Sequence, residues 1–249
     1  MPAASIKAVL FDMDGVLVDV SGSYRRAIEE TVYYFTGRRV HQREIQRYKN
    51  QGGFNDDWVL TRAIVVDSGM EVSLQRVINE FQRRYRGDDW SGFICKETAL
   101  VENATLDALR KRGHVLGIVT GRPEAEARWT LDHLGWNRVF PLLIAREKQG
   151  HRSKPDPFPL QQALGALRAA GLNLRPENAV YLGDSVDDMV AARAGGLWAI
   201  GVVPPYVEYD PHAELLSQRG AHLVTSDPND LVGLLAKLTR PISDPASPQ

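Results

Sequence analysis

The chain has 249 residues, of which 43% are hydrophobic and 24% are charged, as in an ordinary soluble globular protein. Its 30 Lys and Arg residues balance 31 Asp and Glu residues, so no overall charge attracts nucleic acid or an anionic membrane. No apolar run approaches the roughly 20 residues of a membrane span, and no signal-peptide pattern fits the N-terminus. The single cysteine, Cys95, excludes an internal disulfide and fits a cytoplasmic protein; we expect it to be a buried small residue.

Six short apolar runs bounded by turn residues predict strands that are buried on both faces. They are residues 8–11, 115–119, 142–145, 180–182, 198–202 and 222–224. Helical patterns separate several of them, at residues 123–134, 157–170, 187–194 and 228–238, the second and fourth preceded by the capping residues Asp156 and Asp227. This alternation predicts an α/β fold with a doubly wound, mostly parallel sheet.

Residues 20–95 interrupt the alternation, because they contain helical patterns and no convincing strand. One helix is predicted near 24–35 and a second at 74–85, and Asn55 is predicted to cap a third. We therefore expect a small all-helical domain at 20–95, inserted into a core domain made of 1–19 and 96–240. The linkers are expected near 18–23 and 91–98, and the Pro/Ser-rich residues 241–249 are expected to form a flexible tail.

Two acids, Asp12 and Asp14, directly follow the first predicted strand. Carboxylates are costly to bury there unless a cation neutralises them, and a hard divalent cation such as Mg²⁺ prefers oxygen ligands. Gly15 gives the backbone room to turn sharply beside a ligand. The alternative is a polar loop at the end of a strand.

Three further segments follow or lie close to predicted strands. Thr120, Gly121 and Arg122 lie where a helix begins, which is a favourable place to bind an anion. Lys154 is a compact positive charge that two prolines, Pro155 and Pro157, hold near a helix start. Asp184, Asp187 and Asp188 crowd a strand-to-helix turn. Alone, each has an ordinary explanation: a turn, a solvated lysine, a helix cap. Ligand sites in open α/β sheets lie at the carboxyl ends of the strands, so these segments can converge.

The order and content of the four segments are specific when they are taken together. DMDGV, Thr120 after Ile-Val, Lys154 in SKPDP, and GDSVDD resemble the four motifs of the haloacid-dehalogenase superfamily of phosphohydrolases. The helical insertion resembles the cap of its phosphoglycolate-phosphatase-like branch, subfamily IA. The resemblance implies a Rossmann-like core with a helical cap. It also implies a Mg²⁺-dependent phosphomonoester hydrolase that acts on a small phosphorylated metabolite through an aspartyl-phosphate.

The resemblance also implies a role for each residue of the motifs. Asp12 is expected to be the nucleophile and Asp14 the general acid and then the base. Phosphate is expected to bind Thr120, the Gly121 N–H and Lys154, which also bridges to Asp12. The metal is expected to be held by Asp12, the backbone carbonyl of Asp14, Asp184 and, through water, Asp188. Arg122 follows Thr120 and Gly121 where many relatives carry Asn or Ser, and it is either a further phosphate contact or an exposed residue at the helix start.

The resemblance further implies that a loop of the cap reaches over the site. The best candidate is residues 50–58, where Gly52 and Gly53 allow a tight bend and Asn55 and Trp58 are expected to line a substrate pocket. The alternative for this loop is a plain turn between helices. Two rival functions stay open: a phosphosugar mutase that uses the same acids, and a non-catalytic phosphate-binding module. The sequence leaves the substrate, the preferred metal and the oligomeric state undecided.

Overall fold

The computed structural model describes residues 5–238, so the predicted tail at 241–249 lies outside the described residues. The strands are β1 Ala8–Phe11, β2 Val18–Asp19, β3 Thr98–Ala99, β4 Val115–Val119, β5 Leu142–Ile144, β6 Ala179–Gly183, β7 Trp198–Val202 and β8 Leu223–Thr225. Six of them form one parallel sheet in the order β5-β4-β1-β6-β7-β8. All six predicted strands are present, and the predicted α/β class is confirmed.

Ten α-helices lie among residues 5–238. They are α1 Tyr24–Thr36, α2 Gln42–Asn50, α3 Asp57–Asp67, α4 Leu74–Tyr85, α5 Asn103–Lys111, α6 Glu124–His133, α7 Phe158–Ala169, α8 Val186–Ala194, α9 Tyr209–Gln218 and α10 Leu231–Lys237. Short 3₁₀ turns occur at Asp88–Trp90, Phe93–Lys96, Arg146–Lys148, Pro176–Asn178 and Pro228–Asp230. The predicted helices are present, although the first three residues of the helix predicted at 228–238 form a 3₁₀ turn before α10. The sequence did not predict α2, α5 or α9.

Helices pack on both faces of the six-stranded sheet because successive side chains of each buried strand point to opposite faces. On β1, Ala8 and Leu10 belong to an apolar cluster with α7 and α8, whereas Val9 and Phe11 belong to a second cluster. The second cluster continues into α1, α3 and α4 without interruption. The helical segment, residues 24–85, therefore shares one continuous apolar core with that side of the sheet.

The chain enters and leaves the helical segment at one place. There β2 and β3 pair antiparallel, with Val18 opposite Ala99 and Asp19 opposite Thr98. The two predicted linkers thus lie side by side. None of the helices within residues 5–238 has both the length and the hydropathy that crossing a membrane requires.

The order of the strands determines where a ligand can bind. β1 lies in the middle of the sheet, with β4 on one side and β6 on the other, so the connections from β1 diverge. Phe11 at the end of β1 is level with Ile118 of β4 and Leu182 of β6. The residues that follow these three strands therefore meet at one edge, which is the position of ligand crevices in doubly wound sheets.

Candidate active site

A cavity lies at this edge, between the carboxyl ends of the strands and the helical segment. Its lining from the sheet includes Asp12, Asp14, Gly121, Arg122, Pro123, Asp184, Ser185 and Asp187. Its lining from the helical segment includes Tyr24, Arg25, Lys49, Phe54, Asn55, Asp56, Asp57 and Trp58. The first, second and fourth sequence motifs thus converge on one cavity.

Three carboxylates from two motifs lie close together below the cavity. One carboxylate oxygen from each of Asp12, Asp184 and Asp188 lies within 4.8 Å of the other two. Asp12 Oδ1 is buried, and the polar group that contacts it is the ammonium of Lys154. Asp188 is already engaged, because its Oδ2 accepts hydrogen bonds from the Ser185 backbone and hydroxyl at 3.1 and 2.7 Å.

Lys154 is the cation that faces this carboxylate cluster. Its buried Nζ lies 3.0 Å from Asp12 Oδ1 as an ion pair and 2.6 Å from Asp188 Oδ1. It also donates a hydrogen bond of 2.8 Å to the hydroxyl of Tyr181. Burial lowers the pKa of Lys154, but Asp12 and Asp188 raise it above its ordinary value, so the ammonium stays charged.

The carboxylate cluster carries more negative charge than Lys154 offsets. One ammonium opposes three carboxylates, which leaves two negative charges in a buried site. Burial, together with Asp188 and Asp14, raises the pKa of Asp12 to about 7 despite the attraction of Lys154. Burial, Asp188 and Asp12 likewise hold the pKa of Asp184 well above its ordinary value. A divalent cation would remove both charges, so the residues present fit a hard metal ion.

Two glycines allow the carboxylates to come this close. Gly15 has a φ of 71°, and a side chain there would collide with the Asp184 carboxylate. A side chain at Gly183 would collide with Asp188. Gly15 is therefore required for two reasons: its positive φ favours glycine, and the Asp184 carboxylate occupies the space of a side chain.

The predicted phosphate contacts Thr120 and Gly121 lie beside the carboxylate cluster, where β4 ends. Thr120 is buried, and its backbone N–H donates to the carbonyl of Ile144 at 3.0 Å. Its hydroxyl oxygen accepts a 3.2 Å hydrogen bond from the Arg122 N–H, which holds the hydroxyl near the start of α6. Gly121 lines the cavity, and the Asn55 side chain lies directly over it, 3.6 Å from where a Cβ would be.

Arg122 is not an exposed residue at the helix start, because only 2% of it is exposed. Its Nε donates a 2.7 Å hydrogen bond to Asp14 Oδ1, and Nη1 and Nη2 donate to the two carboxylate oxygens of Glu97 at 2.9 and 3.0 Å. Thr130 and the Tyr85 hydroxyl also donate to Glu97. Burial lowers the pKa of Arg122, but Asp14 and Glu97 hold it well above its usual range. Arg122 therefore fixes the orientation of the Asp14 side chain.

We expect Arg122→Met to lower the free energy of unfolding by about 3–5 kcal/mol, because the Glu97 carboxylate is left buried and unpaired. Urea unfolding measures the loss. The double variant Arg122→Met/Glu97→Gln removes both charges, so it should be less destabilised than the sum of the single variants. If the losses in free energy of unfolding of the two single variants add up to that of the double variant, the pairing of Arg122 with Glu97 is contradicted.

The predicted specificity loop does reach the sheet. Gly52 and Gly53 have φ values of 80° and 76°, as the predicted bend requires, and the Gly53 N–H donates to Asp187 Oδ2 at 3.0 Å. Asp56 pairs with Arg146 at 2.5 Å, and Asn55 and Trp58 line the cavity. Gly52 and Gly53 themselves do not line it.

Two smaller predictions are wrong. Asp56, not Asn55, caps α3, because its side chain accepts hydrogen bonds from the N–H groups of Trp58 and Val59, which leaves Asn55 free to cover Gly121. Cys95 is exposed, because it lies in a 3₁₀ turn whose one buried residue is Ile94.

Sequence reasoning also missed several residues that line or support the cavity. They are Arg25, Lys49, Glu97, Tyr181 and Tyr206. For Arg25 a signal existed, since it lies within the apolar stripe of α1, three residues before Ile28 and seven before Val32. Glu97 and Tyr206 lie in irregular segments, where no periodicity reports burial.

Comparison with known proteins identifies relatives of most of the chain. The model of the haloacid dehalogenase-like hydrolase family matches residues 6–196. A phosphoglycolate phosphatase from Xylella fastidiosa (strain 9a5c) is 34% identical over 192 residues, which are 77% of this chain and 77% of that protein. An imidazoleglycerol-phosphate dehydratase from Phytophthora nicotianae is 34% identical over 236 residues; these cover 89% of this chain, and the chain spans 50% of that longer protein.

The fold is shared with solved structures. A crystal structure described as a predicted phosphoglycolate phosphatase from Haemophilus somnus 129pt superposes with a TM-score of 0.73 at 21% identity. The superposition covers 92% of this chain and 97% of the other. At that identity the likeness establishes the architecture of the sheet and helices.

Proposed function

The chain belongs to the haloacid dehalogenase-like hydrolase family and is a phosphatase of it, and we propose that it is a Mg²⁺-dependent phosphomonoesterase with Asp12 as nucleophile. Its substrate is a small phosphorylated molecule. The observation that carries the proposal is the buried cluster of Asp12, Asp184 and Asp188, in which Lys154 pairs with Asp12 and Asp188. Thr120 and Gly121 lie at the end of β4, shortly before α6 begins.

In this proposal the fixed charges around Asp12 make a phosphate ester a suitable ligand. The Lys154 ammonium, the Thr120 hydroxyl and the Gly121 N–H attract the phosphoryl oxygens, which offsets the repulsion between a carboxylate and a phosphate dianion. Asp12 and Asp184 would hold Mg²⁺, with the Asp14 carbonyl and Asp188 assisting. The ion supplies charge neutralisation on the phosphoryl oxygens and keeps Asp12 ionised at neutral pH.

In the first step a carboxylate oxygen of Asp12 attacks phosphorus, and the bond from phosphorus to the ester oxygen breaks. Asp14 in its acid form gives a proton to that oxygen, and the alcohol leaves. The enzyme then carries an aspartyl-phosphate on Asp12. Arg122 holds the Asp14 side chain at the edge of the cavity, within reach of a leaving group.

In the second step Asp14 as a carboxylate removes a proton from water while the water oxygen attacks phosphorus. The bond from phosphorus to Asp12 breaks, inorganic phosphate leaves and both acids return to their starting forms.

We propose that residues 20–95 act as a cap that excludes bulk water from this cavity. The contacts of Gly53 with Asp187 and of Asp56 with Arg146 join the cap loop to the sheet and support this role. The relatives named phosphoglycolate phosphatases make phosphoglycolate the first compound to test.

Phosphate release from p-nitrophenyl phosphate and phosphoglycolate tests the proposal, with Mg²⁺ and with excess EDTA. We expect turnover with Mg²⁺ and its loss in EDTA. A phosphosugar mutase would instead need a bisphosphosugar and would return the phosphoryl group to the sugar. A non-catalytic module would bind beryllofluoride or phosphate without hydrolysing any ester, and that result would contradict the proposal.

A further inference from the structure

Four cationic side chains of the described chain line the cavity. They are Arg25, Lys49, Arg122 and Arg146. Three of them already have an acid partner: Lys49 lies 2.6 Å from Asp57, Arg146 pairs with Asp56, and Arg122 pairs with Asp14 and Glu97. Within residues 5–238, Arg25 forms no ion pair.

Arg25 is also buried, with 2% of its surface exposed. Its Nη1 donates to Gln42 at 3.2 Å and its Nη2 donates to Gln46, both amide oxygens, while its Nε has no partner among the described residues. Neutral amides satisfy hydrogen bonds but carry no charge, and among the described residues no carboxylate contacts the guanidinium. A buried guanidinium without a carboxylate is costly, which indicates that an anion binds here when the site is in use.

A second unpaired group lies against Arg25. The guanidinium carbon is 4.5 Å from the centre of the Tyr206 ring, and the Tyr206 hydroxyl is buried without a hydrogen-bond partner in the described chain. The indole N–H of Trp58, on the same cavity, is also buried and unpaired, and an indole can only donate. The cavity thus contains three hydrogen-bond donors without a partner among the described residues. A negatively charged ligand with acceptor oxygens could bind all three.

We propose that Arg25 and Tyr206 form a second anion subsite, so that the substrate is a phosphomonoester that carries a carboxylate. The inference rests on the proposed phosphatase function and adds the class of substrate. Lys154 and Thr120 receive the phosphoryl group, and Arg25 receives the carboxylate, whose two oxygens match the edge formed by Nε and a neighbouring Nη.

The subsite also explains the arrangement of α2. Gln42 and Gln46 are one turn apart on that helix and hold the two Nη atoms, so the guanidinium is oriented before a ligand arrives. Gln42 is in turn fixed by a 2.7 Å hydrogen bond that its Nε2 donates to Glu29. A side chain fixed in this way loses little entropy on binding.

Two compounds that differ only in the second group test the proposal. Phosphoglycolate carries a carboxylate, and 2-hydroxyethyl phosphate carries a hydroxymethyl group on the same two-carbon chain. We expect kcat/KM of the wild-type protein to favour phosphoglycolate by at least about 10-fold. Arg25→Gln should lower this ratio about 10- to 100-fold, and Tyr206→Phe, which removes one oxygen, about 5-fold.

Arg26→Gln is the matched control. Arg26 is the next residue of α1, but its side chain is 47% exposed and contacts Glu29 and Glu30 on the surface, so the ratio should stay that of the wild type. Binding gives a second measurement: in an Asp12→Asn background, calorimetry should show Arg25→Gln weakening phosphoglycolate far more than inorganic phosphate.

The outcomes separate the two proposals. A wild-type protein that hydrolyses both esters equally well would overturn the subsite and leave the phosphatase function standing. A larger Arg25-dependent preference for ethylene glycol bisphosphate than for phosphoglycolate would overturn the carboxylate assignment. If no ester is hydrolysed, the proposed function fails and the inference fails with it. If Arg25→Gln does not fold, the wild-type ratio and Tyr206→Phe still decide.

Discussion

Asp12→Asn is expected to abolish turnover, with kcat lowered by about 10⁴-fold or more, while the protein keeps its fold. An amide is a poor nucleophile and cannot form the acyl phosphate on which both steps depend. Because burial raises the pKa of Asp12, its neutral replacement removes an unfavourable charge, so the melting temperature measured in EDTA at neutral pH should not fall. Phosphate release and thermal unfolding measure the two effects.

The matched control for this variant is Asp107→Asn, which makes the same chemical change on a side chain that is 58% exposed on α5. It should retain wild-type activity. A kcat of Asp12→Asn within about 10-fold of the wild type would exclude Asp12 as the nucleophile.

Removing the divalent cation is expected to destabilise the protein at neutral pH and to leave it little changed in acid. The folded state holds the Asp12 proton up to about pH 7, whereas the unfolded chain releases it near pH 3.8. The stability that this proton confers is therefore complete below pH 3.8 and is lost as the pH rises through 7. The loss is on the order of 4 kcal/mol, and Mg²⁺ should reverse it because it binds the ionised carboxylates.

Thermal unfolding in EDTA and in Mg²⁺ across this range checks the linkage. We expect Mg²⁺ to raise the melting temperature by roughly 10 °C at pH 8 and to have almost no effect near pH 4. Asp184→Asn removes a proposed ligand and should abolish the shift, while Asp107→Asn should keep it. A melting temperature at pH 8 that does not respond to Mg²⁺ would contradict the metal site.

The sequence predicted the sheet well because its strands are short, continuous apolar runs, a pattern that burial on both faces produces. The helix α2 escaped prediction because only Ile45 and Tyr48 of its nine residues are buried, too few to form a stripe. The two-residue strands β2 and β3 carry no periodicity at all. They form because the chain leaves and returns at one point.

The motifs predicted which residues meet at the edge of the sheet, but not how each is oriented. Asp14 was expected to be the general acid and then the base, and no motif predicted that Arg122, itself bound to the buried Glu97, donates a hydrogen bond to its carboxylate. Glu97 lies 25 residues before Arg122, in an irregular segment, and no local pattern predicts that contact. The position of Arg25 in the apolar stripe of α1 indicates its burial, but no local pattern predicts its contact with Tyr206, which is 181 residues later in the chain.

Trapping the phosphoryl group on the protein tests the central claim most directly. The Asp14→Asn variant is mixed with p-nitrophenyl phosphate, whose leaving group departs without a proton, and is quenched in acid. Because the second step lacks its base, we predict that a phosphorylated species accumulates and that peptide mass spectrometry locates the phosphoryl group on Asp12. A phosphoryl group on any other residue, or an unlabelled protein that still releases phosphate at the wild-type rate, would contradict the account.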